Sequence, residues 1–523
     1  MKRPELHRYA EPLTLLLLAG VCYALFFHGL SSIGLIGPDE PRYAGVAREM
    51  YQSGDYITPR LNGVPWFEKP ILMYWGAALS YGIFGVGEFG ARFPSAFGAT
   101  LSVFFVYFVC RKFWGRATAV AASLILASSV GYFAFARAAS MDMPLTVCLT
   151  MALLSFLMGY NSNTPDRRWW FLAFYAFVGF GVLAKGPVAI ALPAMSLFGY
   201  LLFRGRLNEW KEWYPRYAWI ILAIAGPWYL AVTWVNGYEF IRVFLIDQNL
   251  ARFTSTVHGH PRPFYFYIPD FLMLTFPWTF LIVPTLRRTM DRNDRILVWW
   301  TIVPIVFFSL SGSKLPGYIL PSIPAALMLC AREIPKGFSR AFQVAVFIEA
   351  VAMLFIGVAF GFFGQMLNVD AHVNGLVITG VTFVLAALLA IIALWMKPPV
   401  FAGFNIMVMI FSVLVTTNFV LPRFETSDTM RSWQPILRKI VPDDQTVYLY
   451  RPSRWMEYGM QFYRFKKTQS IYTLEDLASV LGHSRVLFVT DEKALMDLGD
   501  AGVEIQVVET SGNQTAFWAS QPQ

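Results

Sequence analysis

Charge is scarce in this chain. Asp, Glu, Lys and Arg make up 14% of its 523 residues, against roughly a quarter in ordinary soluble domains. The shortfall excludes an ordinary soluble globular class and points to long stretches in which an ionised side chain would be left in hydrocarbon. Cysteine is also rare. Cys22, Cys110, Cys148 and Cys330 all fall inside apolar runs without CxxC spacing, so neither a disulfide framework nor a zinc ribbon is indicated and they read as inert packing residues. No nucleic-acid-binding motif accompanies the net charge of +9. No small-x-small cleavage site follows the first apolar segment, which therefore reads as a retained span and not as a cleaved signal.

What the chain has instead is apolar and aromatic: 56% hydrophobic and 17% aromatic residues. Segments near 12–30, 92–110, 117–136, 143–160, 168–184, 186–203, 216–235, 271–286, 295–310, 316–331, 341–364, 374–396 and 399–419 give about thirteen candidate spans. Basic residues test this layout independently, because Lys and Arg concentrate in cytoplasmic connections. Lys2, Arg3 and Arg8 precede the first span, and Arg111, Lys112 and Arg116 lie between the second and third. Further clusters recur at every second connection, at Arg167–Arg168, 204–216, 287–295 and 332–340. This alternation predicts a cytoplasmic N-terminus and, after an odd number of spans, an extracytoplasmic C-terminal part; it also accounts for the net positive charge.

Three outer connections stand apart. The first, 31–91, carries the run Gly37-Pro38-Asp39-Glu40-Pro41-Arg42-Tyr43, two expected amphipathic segments at 43–53 and 69–84, and Trp66-Phe67-Glu68-Lys69-Pro70 between them. Pro38 and Pro41 restrict φ on both sides of the acidic pair, so the expectation is a constrained turn at the membrane surface. The second, 235–270, carries Arg252, the run His258-Gly259-His260-Pro261-Arg262 and an aromatic block from Phe264 to Tyr267 suited to the headgroup layer. The third is Ser311-Gly312-Ser313-Lys314-Leu315-Pro316-Gly317-Tyr318. After residue 421, short apolar runs at 446–450, 486–490 and 505–508 alternate with helix-like stretches such as 474–480, which predicts a small extracytoplasmic α/β domain over 421–523. Its expected role is to cover the membrane site or to help dock an acceptor.

Taken together, Asp39-Glu40 with Arg42-Tyr43, Phe67-Glu68-Lys69-Pro70, Asp142-Met143-Pro144, Ala184-Lys185-Gly186-Pro187, and Ser313-Lys314-Leu315-Pro316 with Tyr318 form a specific set over the first 330 residues. The chain resembles the GT-C polyprenyl-phosphate-sugar glycosyltransferases, within them the lipid A aminoarabinose transferases and, more distantly, the protein O-mannosyltransferases. The resemblance implies a polytopic α-helical membrane protein of GT-C fold, with a catalytic membrane domain over 1–420 and periplasmic juxtamembrane helices in 31–91 and 235–270. It also implies an inner-membrane enzyme, working on the periplasmic side, that moves a hexosyl or pentosyl group from an undecaprenyl-phosphate donor, with inversion.

The chemistry can be argued from residue types. Cleavage of a polyprenyl-phosphate sugar leaves a phosphate with additional negative charge, and fixed cations must meet it. Lys69, Lys185, Arg252, Arg262 and Lys314 are the outer-face candidates, and the family match adds Arg42, Tyr43 and Tyr318 to the donor-phosphate set. An attacking hydroxyl would need a base. Asp39 is the candidate by its match to the family's first acidic motif, with Glu40 beside it and Asp142 placed to orient acceptor or sugar. A lipid A phosphate acceptor is already ionised, and Asp39 would then position groups or hold a cation. Each assignment has a plainer alternative: a solvated turn for Asp39-Glu40, and snorkelling to the headgroups for Lys185. No cofactor is obligatory. Glu68, His258 and His260 could ligate a divalent metal, although two histidines at i and i+2 also occur on ordinary polar loops.

The expected partners are a polyprenyl-phosphate sugar, membrane lipids and lipid A or another lipopolysaccharide component, with a protein hydroxyl as the second acceptor and no nucleic acid. A lipid or sugar transporter is the reading from another class. It predicts internal repeats and charged or broken helices at the bilayer midplane, whereas the apolar segments here hold few ionisable residues.

Overall fold

The computed structural model describes residues 3–251, 262–286, 289–336, 339–366, 380–381, 383–385, 387–388, 398–425, 429–465, 467–481, 485–500 and 503–520. They form two compact units, one of residues 1–28, 67–73 and 92–416, the other of 29–66, 74–91 and 417–523.

The first unit is helical. Among the described residues, six helices are long and apolar enough to cross a membrane: Ala10–Phe27, Glu88–Ser128, Asp142–Tyr160, Pro215–Asn236, Arg340–Ala359 and Ala402–Val420. The pair Phe264–Thr275 and Trp278–Leu286, bent by 107°, makes a seventh if it is one broken span. This is fewer than the expected thirteen, for identifiable reasons. Segments 92–110 and 117–136 run together in Glu88–Ser128, interrupted at Gly115 (φ 82°) beside the basic residues expected to separate them. Val188–Phe203 and Pro316–Ala331 are shorter apolar helices, and Arg167–Lys185 and Arg292–Ser309 bring charged residues into their ends. Most of 374–396 lies outside the described residues. The Arg292–Ser309 helix opens on a capping box in which Asp291 Oδ1 accepts from the Asp294 N–H at 2.8 Å and Asp294 Oδ2 from the Asp291 N–H at 3.0 Å. Trp300 on that helix is fully buried and donates its indole N–H to Pro321 O at 2.7 Å. The Tyr267 hydroxyl donates to Leu315 O at 3.2 Å. These two bonds fix the segment 315–321 that carries Tyr318.

In the second unit, the Asp39-Glu40 pair does not sit in a turn. It forms the first turn of the helix Asp39–Ser53, with Pro38 as N-cap and Pro41 just inside. The reason is positional: the first turn of a helix has no intrahelical partner for its N–H groups, so proline costs nothing there. Glu40 Oε2 accepts from the Ile36 N–H at 2.9 Å and ties the incoming chain to that turn. The helix ends at Gly54, whose φ of 73° suits a left-handed cap. The second segment, expected as amphipathic over 69–84, is the helix Leu72–Phe84, which starts three residues later, carries no charged side chain and is apolar and not amphipathic. A two-stranded antiparallel ribbon, β1 (Arg60–Leu61) and β2 (Val64–Pro65), lies between these helices in sequence.

The expected α/β fold at the C-terminal end is present as a five-stranded sheet of β3 (Val447–Tyr450), β4 (Thr468–Ile471), β5 (Val486–Asp491), β6 (Glu504–Ser511) and β7 (Gln514–Ser520). The order is β4-β3-β5-β7-β6. The β3 pairings with β4 and β5 are parallel, and β7 runs antiparallel to β5 and β6. Tyr450, Ile471, Leu477, Leu481, Phe488 and Phe517 belong to its core, and Phe488 stacks on Phe517 with ring centroids 5.6 Å apart. Helix Arg454–Tyr463 packs on Asp39–Ser53 within the same unit.

Candidate functional site

Helix ends build the first site. Asp142 is the first residue of Asp142–Tyr160, and Lys185 is the last of Arg167–Lys185, which stops at Gly186 (φ 80°). A carboxylate at a helix N-terminus and an ammonium at a C-terminus are each favoured by the backbone dipole. The two side chains form an ion pair, and both are mostly withdrawn from solvent. The Lys185 Nζ also stands 4.4 Å from the centre of the Tyr318 ring. Gly317 makes the approach possible: a Cβ there would collide with Asp142 Oδ2 and lie 2.6 Å from its Cγ.

Lys185 borders a cavity of about 440 Å³ in the first unit. Lys185, Tyr318, Glu68, Lys69, Gln248 and Ser311 supply its polar lining, and Pro70, Pro187, Val188, Ala191, Phe244, Phe307 and Phe308 most of the rest. Lys69 reaches the wall because its neighbours anchor the strand of chain around it. Phe67 is 3% exposed and Ile71 fully buried, and the Phe67 ring meets Phe240 edge-on at 5.5 Å. Phe240 in turn stacks on Phe244 at 5.5 Å. An apolar cavity with a few converging polar groups is the usual form of a small-ligand site. The two lysines bring ammonium donors to its lining, beside the Glu68 carboxylate, a set of groups able to hold a phosphate on a hydrocarbon-rich molecule.

The second unit holds the Asp39 cluster. Arg42 is 5% exposed; its Nη2 donates to Asp39 Oδ1 at 2.5 Å and to the Tyr43 hydroxyl at 3.3 Å. Its guanidinium lies 5.0 Å from the ring centre of Tyr43 and 5.6 Å from those of Trp66 and Tyr458. Asp39 itself is half exposed. A planar cation among aromatic faces holds its orientation, and so holds the exposed carboxylate that it binds.

Of the residues that the sequence singles out, Lys69, Lys185, Tyr318 and Glu68 thus come together in one cavity, with Asp142 behind Lys185. Asp39, Glu40, Arg42 and Tyr43 share one helix turn. Lys314 is buried, donates to Ser311 O at 2.6 Å and does not line the cavity. Arg262 is exposed, its guanidinium 5.8 Å from the Phe266 ring centre. Arg252, His258 and His260 lie outside the described residues; among those described, no three His, Cys, Asp or Glu side chains cluster as a metal site would need. Sequence reasoning passes over Gln248 and Phe244, whose i, i+4 spacing on Arg242–Ala251 is the available signal, and Gly317, which gives none.

A protein-family profile described as "Dolichyl-phosphate-mannose-protein mannosyltransferase" matches residues 68–230. A Pseudomonas fluorescens protein named undecaprenyl phosphate-alpha-4-amino-4-deoxy-L-arabinose arabinosyl transferase 1 is 34% identical over 331 residues, covering 61% of this chain and 57% of its own length. An Aeromonas hydrophila protein of the same type is 31% identical over 342 residues, covering 63% and 62%. The chain thus spans about three fifths of the length of the curated relatives it matches. The crystal structure of ArnT from Cupriavidus metallidurans bound to undecaprenyl phosphate superposes with a TM-score of 0.84 at 23% identity, over 97% of this chain and 99% of that one. This chain is therefore a membrane protein of GT-C fold, similar in sequence to the aminoarabinose transferases and in architecture to ArnT.

Proposed function

We propose that this protein is a glycosyltransferase that takes a sugar from an undecaprenyl-phosphate donor and moves it to lipid A or another lipopolysaccharide component. The observation that carries the reading is the apolar-walled cavity with Lys69 and Lys185 on its lining, in a chain similar in fold to a protein crystallised with undecaprenyl phosphate. In this reading the two lysines bind the donor phosphate and stabilise the charge that grows on it as the glycosidic bond breaks. Asp142 holds Lys185 in place, and Tyr318 presents its ring to the ammonium. Asp39, oriented by Arg42, serves the acceptor: as base for a hydroxyl, or as an orienting group for an acceptor phosphate that has no proton to lose. Direct displacement by the acceptor inverts the anomeric centre. The reading includes thirteen spans, a cytoplasmic N-terminus, an inner-membrane site opening to the periplasm, and a C-terminal periplasmic domain.

The family profile names a protein mannosyltransferase, which favours protein acceptors as the second reading. The test reconstitutes the pure protein with radiolabelled undecaprenyl-phosphate aminoarabinose and offers lipid A or a polypeptide acceptor. Label in lipid A, lost in Asp39→Asn, supports the first reading; label only in polypeptide supports the second; label in neither rejects both. Repeating the assay after chelation and metal repletion tests whether Glu68, with His258 and His260, holds a divalent metal.

A further inference from the structure

Outside the sites already described, the second unit contains a cavity of about 240 Å³ lined by Arg48, Arg438, Arg464, Asp443, Gln434 and the apolar side chains of Leu437, Met460, Tyr463 and Phe465. Three guanidinium groups meet one carboxylate there. That carboxylate, Asp443, is taken up by Arg438 at 3.3 Å, and both are exposed.

The other two arginines are held by main-chain oxygens. Arg464 is 8% exposed, and its Nη2 donates to Pro442 O and, at 2.8 Å, to Gln445 O. Arg48 donates through Nη1 to Phe462 O, and its guanidinium lies 4.4 Å from the Phe465 ring centre. The Nε–H of each is buried and has no hydrogen-bond partner among the described residues. Two guanidinium groups that each bury an unused Nε–H donor on one small cavity are costly unless an anion completes them.

We propose that this cavity is an anion-binding subsite for a phosphate monoester, with Arg48 and Arg464 each offering a buried N–H and Arg438 closing the outer side. Guanidinium donors match phosphate oxygens in geometry as well as charge. The volume is below that of a drug-sized pocket and fits a headgroup, while Leu437, Met460 and Phe465 provide an apolar wall for what the phosphate is attached to. Burial lowers the proton affinity of both Arg48 and Arg464 below the ordinary arginine range, and for Arg464 the nearby Asp443 and Asp444 carboxylates only partly offset it. The proposal does not depend on the glycosyltransferase reading.

The test is equilibrium binding of radiolabelled inorganic phosphate to the full-length protein in phosphatidylcholine nanodiscs. It uses the Lys69→Ala/Lys185→Ala background, so that the other cationic cavity does not contribute. Saturable binding is expected, weakened roughly tenfold or more by Arg464→Gln and by Arg438→Glu. Arg438 is exposed, so its variant decides the matter if Arg464→Gln fails to fold. Displacement by phosphatidic acid in the disc but not by glycerol phosphate in solution supports the proposal and identifies a lipid headgroup; equal displacement by both supports it and identifies a soluble phosphate ester. No saturable binding, or binding that both folded variants leave unchanged, overturns it.

Discussion

The sharpest perturbation of the proposed donor site is Gly317→Ala, a single added methyl. The new Cβ would collide with Asp142 Oδ2 and lie 2.6 Å from its Cγ and 2.8 Å from Phe135 Cε1, where ordinary contact begins at 3.4 Å. The carboxylate must shift by about 1 Å, which disturbs its pairing with Lys185 through the other oxygen. At an effective dielectric of about 20, stretching a charge pair from about 3 to about 4 Å removes on the order of 1.4 kcal/mol of attraction, a factor of about ten. Loss of the aligned charge-assisted hydrogen bond adds a comparable amount. The expected result is a fall of about 10- to 100-fold in kcat/KM for labelled-sugar transfer, in line with what an ångström of misplacement costs. Overpacking should cost no more than about 1–3 kcal/mol of stability. Gly403→Ala, at a helical position with open space around it, is the control and should leave transfer unchanged. If Gly317 acts through Asp142, the two substitutions are non-additive, and Gly317→Ala costs little once Asp142 is Ala. Full activity in Gly317→Ala, or additive losses in the double variant, refutes the reasoning.

Three other outcomes follow from the same structure. Ala191→Trp places an indole in the lysine-bearing cavity and should abolish undecaprenyl-phosphate binding while the protein still elutes as a folded species; retained binding would move the ligand elsewhere. Arg42→Lys keeps the charge but loses the fork and the stacking on Tyr43, Trp66 and Tyr458, so transfer should drop about tenfold, and a wild-type rate would show that Asp39 needs no such holder. Trp433→Ala removes a fully buried indole whose N–H donates to Gln514 Oε1 at 2.9 Å. It should destabilise the second unit by about 3–5 kcal/mol, read as accelerated limited proteolysis after residue 421; unchanged resistance would mean that this side chain does not hold the sheet.

Much of this is legible from residue order. Lys69 sits between Phe67 and Ile71, and burying those two neighbours brings the lysine to the cavity wall; Lys185 stands immediately before a glycine that stops its helix. The strands at 447–450 and 486–491 read directly from their apolar runs. β4 is not legible in this way because Thr468–Ile471 is mostly polar and gains its strand only by pairing with β3. The acidic pair is misplaced into a turn when proline is weighed as a helix breaker without regard to position, and a first turn tolerates it. Lys314 shows a different limit: its charge suggests an outward cation, while its actual partner is the carbonyl of Ser311, three residues back in its own loop. Gly317 is invisible in the sequence because its role is a close approach to Asp142, and no local pattern announces a contact between residues so far apart along the chain.

The central claim is that Lys69 and Lys185 hold a polyprenyl phosphate. Equilibrium binding of radiolabelled undecaprenyl phosphate to wild type and to a folded Lys69→Ala/Lys185→Ala variant, at low and high salt, tests it most directly. Two lost charge-assisted contacts at about 1.5–3 kcal/mol each predict a fall in affinity of 100-fold or more, on the order of two to four decades, and a weaker salt dependence. Undiminished binding in the double variant would contradict the account.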